Sequence, residues 1–97
     1  MMKHPVGFRY AKAMFELATE KDALLQTSEE LELVLQAIQD SNALDEVFNH
    51  PKMTDEKKKE ILKDSFTNKI SQETLNLLYV LIDNGRMNDL AHVVDNY

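Results

Sequence analysis

Residues 75–82 read Leu75-Asn76-Leu77-Leu78-Tyr79-Val80-Leu81-Ile82, an apolar run interrupted only by Asn76. At about 100° per residue, Leu75, Leu78, Tyr79 and Ile82 project to one side of a helix and Leu77, Val80 and Leu81 almost to the other. A helix that is apolar all round cannot lie on a bundle surface with one side in water. Either it is a central helix wrapped by its neighbours, or one of its faces lines an open groove. Its ends are marked: Ser71 is placed as an N-cap with Glu73 in the first turn, and Gly85 can supply a left-handed stop.

Working outward from this segment, five more helices are expected. The first runs from about Phe8 to Lys21, with Tyr10, Met14 and Leu17 on one stripe and Ala11, Phe15 and Ala18 on another. The second begins at Asp22 or at Thr27, where Thr27 and Glu30 have capping-box spacing, and carries Leu31, Val34, Leu35 and Ile38 to its end near Ser41. Asn42 can cap a short third helix with Leu44, Val47 and Phe48 on its apolar edge, which Pro51 ends by forcing His50 out of helical geometry. Thr54 caps a fourth, with Asp55 and Glu56 at the positive end of its dipole and Ile61, Leu62 and Phe66 on its buried side. Asn88 and Asp89 open a sixth, in which Leu90, Val93, Val94 and Tyr97 recur at helical spacing. No segment alternates long enough to make a strand. The expected fold is therefore all-α, a six-helix bundle of short antiparallel helices.

Composition bounds the rest. The 97 residues suffice for one domain, residues 1–97, and 43% hydrophobic content supports a modest core without staples. With no Cys, disulfides, zinc–cysteine sites and thiol catalysis are excluded. Two Gly and two Pro leave little from which to build phosphate-cradling loops. The net charge of −6 repels phosphate backbones, and the one basic run, Lys57 to Lys59, is bracketed by Asp55, Glu56 and Glu60. No nucleic-acid partner is expected, although a small RNA-associated regulatory factor is the alternative that this basic run would support. The longest charge-free stretch in the second half, Thr74 to Ile82, has nine residues where roughly 20 are needed, so direct membrane insertion is not expected. The first 20 residues hold one Arg, no Ser and two Glu, unlike an organellar presequence, so the chain is expected to stay where it is made.

Catalytic and metal constellations do not emerge. His4, His50 and His92 share no i, i+4 spacing, and neighbouring acids such as Glu29 with Glu30 or Asp45 with Glu46 occupy different helix faces. No catalytic residue, metal or cofactor is expected, and the chain reads as a binding or structural protein. Its first helix sharpens that reading. The two apolar stripes lie about 120° apart and cover more circumference than one core-facing edge requires. Ala11 and Ala13 permit close approach of another backbone, and Tyr10 joins an apolar ring to a polar tip suited to a rim. Two over-wide apolar helices in one small bundle suggest a groove for an amphipathic helix from a partner.

The stretch Arg9 to Ala18, RYAKAMFELA, resembles the opening helix of the delta subunit of bacterial rotary ATP synthases, the counterpart of the mitochondrial oligomycin sensitivity conferral protein. Leu75 to Leu90, LNLLYVLIDNGRMNDL, is similar to that family's fifth helix, its Asn-Gly-Arg corner and the start of its sixth. NHPKMTDEKKKEIL, residues 49–62, sits where the family has its Asn-Pro turn and fourth helix. The resemblance implies a non-catalytic peripheral-stalk subunit. Its N-terminal bundle binds the N-terminal amphipathic helix of an alpha subunit between the first and fifth helices. Carried over, the groove comprises Tyr10, Ala13, Met14 and Leu17 with Leu77, Val80 and Leu81, while Leu75, Leu78 and Ile82 face the core. Family members are nearly twice as long, and their C-terminal region engages the b-type stalk subunits. This chain then corresponds to the alpha-binding domain, expected at the cytoplasmic face of a bacterial membrane as part of the complex.

Overall fold

The computed structural model describes residues 5–97. Six α-helices follow one another: α1 Pro5–Glu20, α2 Leu24–Asp40, α3 Asn42–Asn49, α4 Asp55–Phe66, α5 Gln72–Asp83 and α6 Leu90–Asn96. A 3₁₀ turn, Met87–Asp89, leads into α6, and the described residues contain no strand. The all-α bundle expected from the sequence is the fold.

The caps explain most of the boundaries. The Thr54 and Ser71 hydroxyls accept hydrogen bonds from the Lys57 and Thr74 amides, at 3.2 and 3.3 Å, and so open α4 and α5 as expected. His50 is extended, as its place before Pro51 requires. Gly85 adopts φ +65° after α5, with Arg86 N–H donating to the Leu81 carbonyl at 2.7 Å and Gly85 N–H to that of Ile82 at 3.0 Å. That pattern is a Schellman motif.

Five helix termini differ in detail from expectation. α1 begins at Pro5, whose fixed φ suits the first helical position. It ends in a second Schellman arrangement built without glycine: Asp22 takes φ +53°, and Ala23 N–H reaches the Ala18 carbonyl at 2.8 Å. The Thr27–Glu30 capping box does not form. α2 already starts at Leu24, so Thr27 lies inside the helix, 4% exposed, and Glu30 turns to another element. Ser41 and not Asn42 caps α3, its hydroxyl accepting from the Leu44 amide at 3.2 Å. Asn88 and Asp89 contribute no side-chain cap to α6, which grows from the 3₁₀ turn instead.

The core gathers Ala11, Val34, Phe48, Leu62, Phe66, Leu78, Leu81, Ile82, Met87, Leu90 and Val93 from every helix. α1 lies most extensively against α6. The crossing depends on Gly7, since a Cβ there would stand 2.6 Å from His92 Cβ and 2.7 Å from the His92 backbone. Further along, the Phe15 and Tyr97 rings meet edge to face at 5.6 Å, and the Tyr97 hydroxyl donates to the Leu24 carbonyl at 2.9 Å.

Candidate functional site

On its other flank α1 meets α5 quite differently. The two helices run antiparallel and are joined at two separated points. At one, Asn84 Nδ2, at the C-cap of α5, donates to the Tyr10 hydroxyl at 2.8 Å. At the other, Lys21 Nζ lies 3.4 Å from Glu73 Oε1. Between these ties lies a cleft of about 190 Å³ lined by Ala13, Met14 and Leu17 from α1 and by Glu73, Asn76, Leu77 and Val80 from α5. Apolar side chains dominate it. Met14 forms the floor at 3% exposure, whereas Val80 on the rim is 43% exposed.

A second hollow of about 240 Å³ continues past Leu17 and shares Met14, Leu17 and Glu73 with the first. Its further lining is mostly polar or charged: Lys21, Gln26, Thr27 and Ser71, with Ala18 and Ala23. The two hollows form one trough, apolar along the middle of α1 and polar where α1 ends.

Five of the residues expected from the sequence, Ala13, Met14, Leu17, Leu77 and Val80, come together in the cleft. Tyr10 lies half-buried at its end and fixes the spacing of the two helices there. Leu81 is a correction. It is 0% exposed and belongs to the core with Thr74, Leu78 and Ile82, so it offers a partner no surface. At about 100° per residue Leu81 falls between Leu77 and Leu78, and packing turned it inward. Leu75 also sits at the side of the core stripe and is only half-buried.

Glu73 and Asn76 were missed because the groove face was chosen by apolarity. Their signal was position: Glu73 precedes Leu77 by four residues and Val80 by seven, and so shares their stripe. Glu30 was also misread. Its side chain, from α2, receives Ser71 N–H and the Ser71 hydroxyl at 2.9 Å each, the Thr74 hydroxyl at 2.6 Å and Gln26 Nε2 at 2.8 Å. Burial by itself pushes this carboxyl up, but the hydrogen bonds outweigh it and hold the group below its ordinary value of 4.5. Glu30 thereby ties the start of α5, one wall of the trough, to α2.

Elsewhere the polar groups are dispersed. Lys57 pairs with Glu60 at 3.6 Å, and Lys59 pairs with Asp83 at 2.6 Å while lying over the Tyr79 ring. The hydrogen bond to Asp83 raises the Lys59 pKa. Two of the three lysines of the basic run are therefore paired with carboxylates. His50 Nδ1 accepts from the Lys52 amide at 3.1 Å, His92 stands at the α1–α6 crossing, and His4 lies outside the described residues. Among the described residues no three His, Cys, Asp or Glu are grouped so as to hold a metal ion. Among them, too, no helix is long and apolar enough to cross a membrane.

Comparison with known proteins agrees with the resemblance. The family model described as ATP synthase delta (OSCP) subunit matches residues 6–97. The ATP synthase subunit delta of Desulforamulus reducens is 39% identical over 97 residues, covering 100% of this chain and 54% of the relative. That of Bacillus subtilis strain 168 is 40% identical over 92 residues, 95% of this chain and 50% of the relative. That of Alkalihalophilus pseudofirmus is 35% identical over 97 residues, 100% of this chain and 53% of the relative. The chain spans about half the length of the curated relatives it matches.

Proposed function

Because this chain belongs to the ATP synthase delta (OSCP) subunit family, we propose that it is the alpha-binding domain of a peripheral-stalk subunit, and that its α1–α5 cleft receives the N-terminal amphipathic helix of an alpha subunit. The observation that carries the reading is the cleft itself. Two antiparallel helices are tied at their ends and left apart in the middle, with Ala13, Leu17, Leu77 and Val80 presented there to solvent. An incoming helix with apolar side chains at i, i+3, i+4 and i+7 matches such a trough.

The work of the site is mechanical. A stator resists torque and turns over no substrate, so what it needs is a long-lived contact. Burying about 600 Å² of apolar surface gives on the order of 15 kcal/mol gross, of which association and ordering remove a large share. Val80 and Leu77 are the anchors on α5, Ala13 and Leu17 those on α1, with Met14 beneath them. Tyr10 and the Lys21–Glu73 pair hold the walls at their spacing before the partner arrives, which lowers the ordering cost. The acidic net charge speeds encounter with a basic flank.

In this reading the chain has no chemistry of its own. Contact with the b-type stalk subunits belongs to the part of the relatives outside the matched half, and the assembled subunit sits at the cytoplasmic face of the membrane. The test is calorimetric titration of the chain with a synthetic alpha-subunit N-terminal peptide, with amide shifts mapped in parallel. Saturable binding with shifts along 10–17 and 73–80 supports the reading; absence of binding, or shifts confined to α3 and α4, refutes it.

A further inference from the structure

We propose that Asn84 is a modification site, converted with loss of ammonia to aspartate and isoaspartate, and that the fold sets the rate by holding the α5–α6 corner shut. The chemistry is independent of any partner. Of the seven Asn in the chain, Asn84 alone is followed by Gly. A glycine nitrogen has no side chain beside it to hinder its attack on the preceding residue. Asn84 and Gly85 are both exposed, and open space surrounds the position where a Gly85 Cβ would stand, so water reaches the corner.

The conversion needs water alone. The Gly85 backbone nitrogen gives its proton to hydroxide and attacks Asn84 Cγ. The new N–Cγ bond closes a five-membered succinimide as the Cγ–Nδ2 bond breaks, and Nδ2 leaves as ammonia after taking a proton from water, which returns the hydroxide. Water then opens the ring. Attack at Cγ restores the main chain with aspartate at position 84. Attack at the main-chain carbonyl gives isoaspartate, whose main chain runs through Cβ and Cγ and is one methylene longer.

The closed corner forbids the first step. Asn84 has ψ 3°, which eclipses Gly85 N with the Asn84 nitrogen about the Cα–C bond, while Cβ, which carries Cγ, projects to one side. Bringing Gly85 N to Cγ rotates that peptide group. The rotation breaks the bonds from Gly85 N–H to the Ile82 carbonyl at 3.0 Å and from Arg86 N–H to the Leu81 carbonyl at 2.7 Å. Gly85 N–H must in any case leave its acceptor before it is deprotonated. The side chain is held too, because Nδ2 donates to the Tyr10 hydroxyl at 2.8 Å and keeps the amide turned toward α1.

Opening of this corner need not unfold the domain. It lies at the exposed end of α5 beside the 3₁₀ turn, and helix ends open at far lower cost than the core. The Tyr10 bond ties the corner to α1, so its removal makes opening easier. Once isoaspartate forms, the added methylene shifts the amides and carbonyls out of the Schellman register, and the corner does not reclose as before.

The test incubates the chain in mildly alkaline buffer, folded or unfolded in guanidinium chloride. Conversion is read by mass spectrometry of the tryptic peptide 70–86 and by enzymatic methylation of isoaspartate. The unfolded chain should convert at Asn84 at least about tenfold faster than the folded one. Tyr10→Phe should raise the folded-state rate about two- to tenfold and leave the unfolded-state rate unchanged. Glu30→Gln, which weakens the opposite end of α5, should keep the folded-state rate within about twofold of the parent. No conversion in the unfolded chain, equal rates folded and unfolded, or a Tyr10→Phe rate equal to the parent's overturns the proposal. A rise in Glu30→Gln as large as that in Tyr10→Phe makes global unfolding the route and overturns it as well.

Discussion

The two flanks of α1 show how one helix can be closed on one side and open on the other. Toward α6 the backbones approach closely at Gly7, and Ala11 and Val93 are 0% exposed. Toward α5 the polar contacts are terminal, Tyr10 with Asn84 and Lys21 with Glu73, and a cleft opens between them above the shared core. Small residues at a crossing make a seam, whereas ties at the ends of two antiparallel helices make a groove. The seam serves stability, and in the proposed function the groove serves a partner. Substitutions should separate the two regions.

The largest loss is expected where the groove rests on the core. Leu81→Ala removes a fully buried side chain and should cost about 2–5 kcal/mol in denaturant unfolding. A cost of only a few tenths would place Leu81 on the groove face after all. Next comes the seam. Gly→Ala in an open helix gains about 1 kcal/mol, but Gly7→Ala should instead destabilise by about 1–3 kcal/mol, because its Cβ meets His92. A stabilised variant would show that α6 moves away freely.

Glu30→Gln is expected to cost about 1–3 kcal/mol at neutral pH, since an amide that keeps its oxygen on the Ser71 and Thr74 donors sets its NH2 against Gln26 Nε2 and loses the charge that strengthens those bonds. Its pH dependence has a definite sign. The folded-state pKa lies below the ordinary 4.5, so Glu30 contributes stability above that value and loses it as pH falls through the folded pKa. The difference between parent and variant should therefore shrink as the solution is acidified below about pH 4.5. A difference that is constant or grows in acid contradicts this. The smallest effect among these four is that of Tyr10→Phe, which deletes one half-exposed hydrogen bond to Asn84 and should cost about 0.5–1.5 kcal/mol.

Much of the fold was legible because local chemistry specified it. Thr54, Ser71 and Gly85 each perform the terminal role their residue type favours. What was not legible depended on distant partners. Asp22 ends α1 in a left-handed conformation for which glycine is the usual signal. Thr27 and Glu30 have the spacing of a local cap, yet Glu30 spends its carboxylate on α5, 41 and 44 residues away. The groove was legible as an excess of apolar surface on two helices. Its outer residues followed from periodicity, but the inward turn of Leu81 did not, because a helical wheel leaves that position between two faces and only the packed core chooses.

The central claim is that the α1–α5 cleft serves a partner and not the fold. Val80 is the residue on which the two roles differ most, being apolar, 43% exposed and on the rim. Thermal unfolding and peptide titration of Val80→Asp, run side by side, decide the matter. The account predicts stability within about 0.5 kcal/mol of the parent and no detectable binding of the alpha-subunit N-terminal peptide. A variant that unfolds, or one that binds the peptide as the parent does, contradicts it.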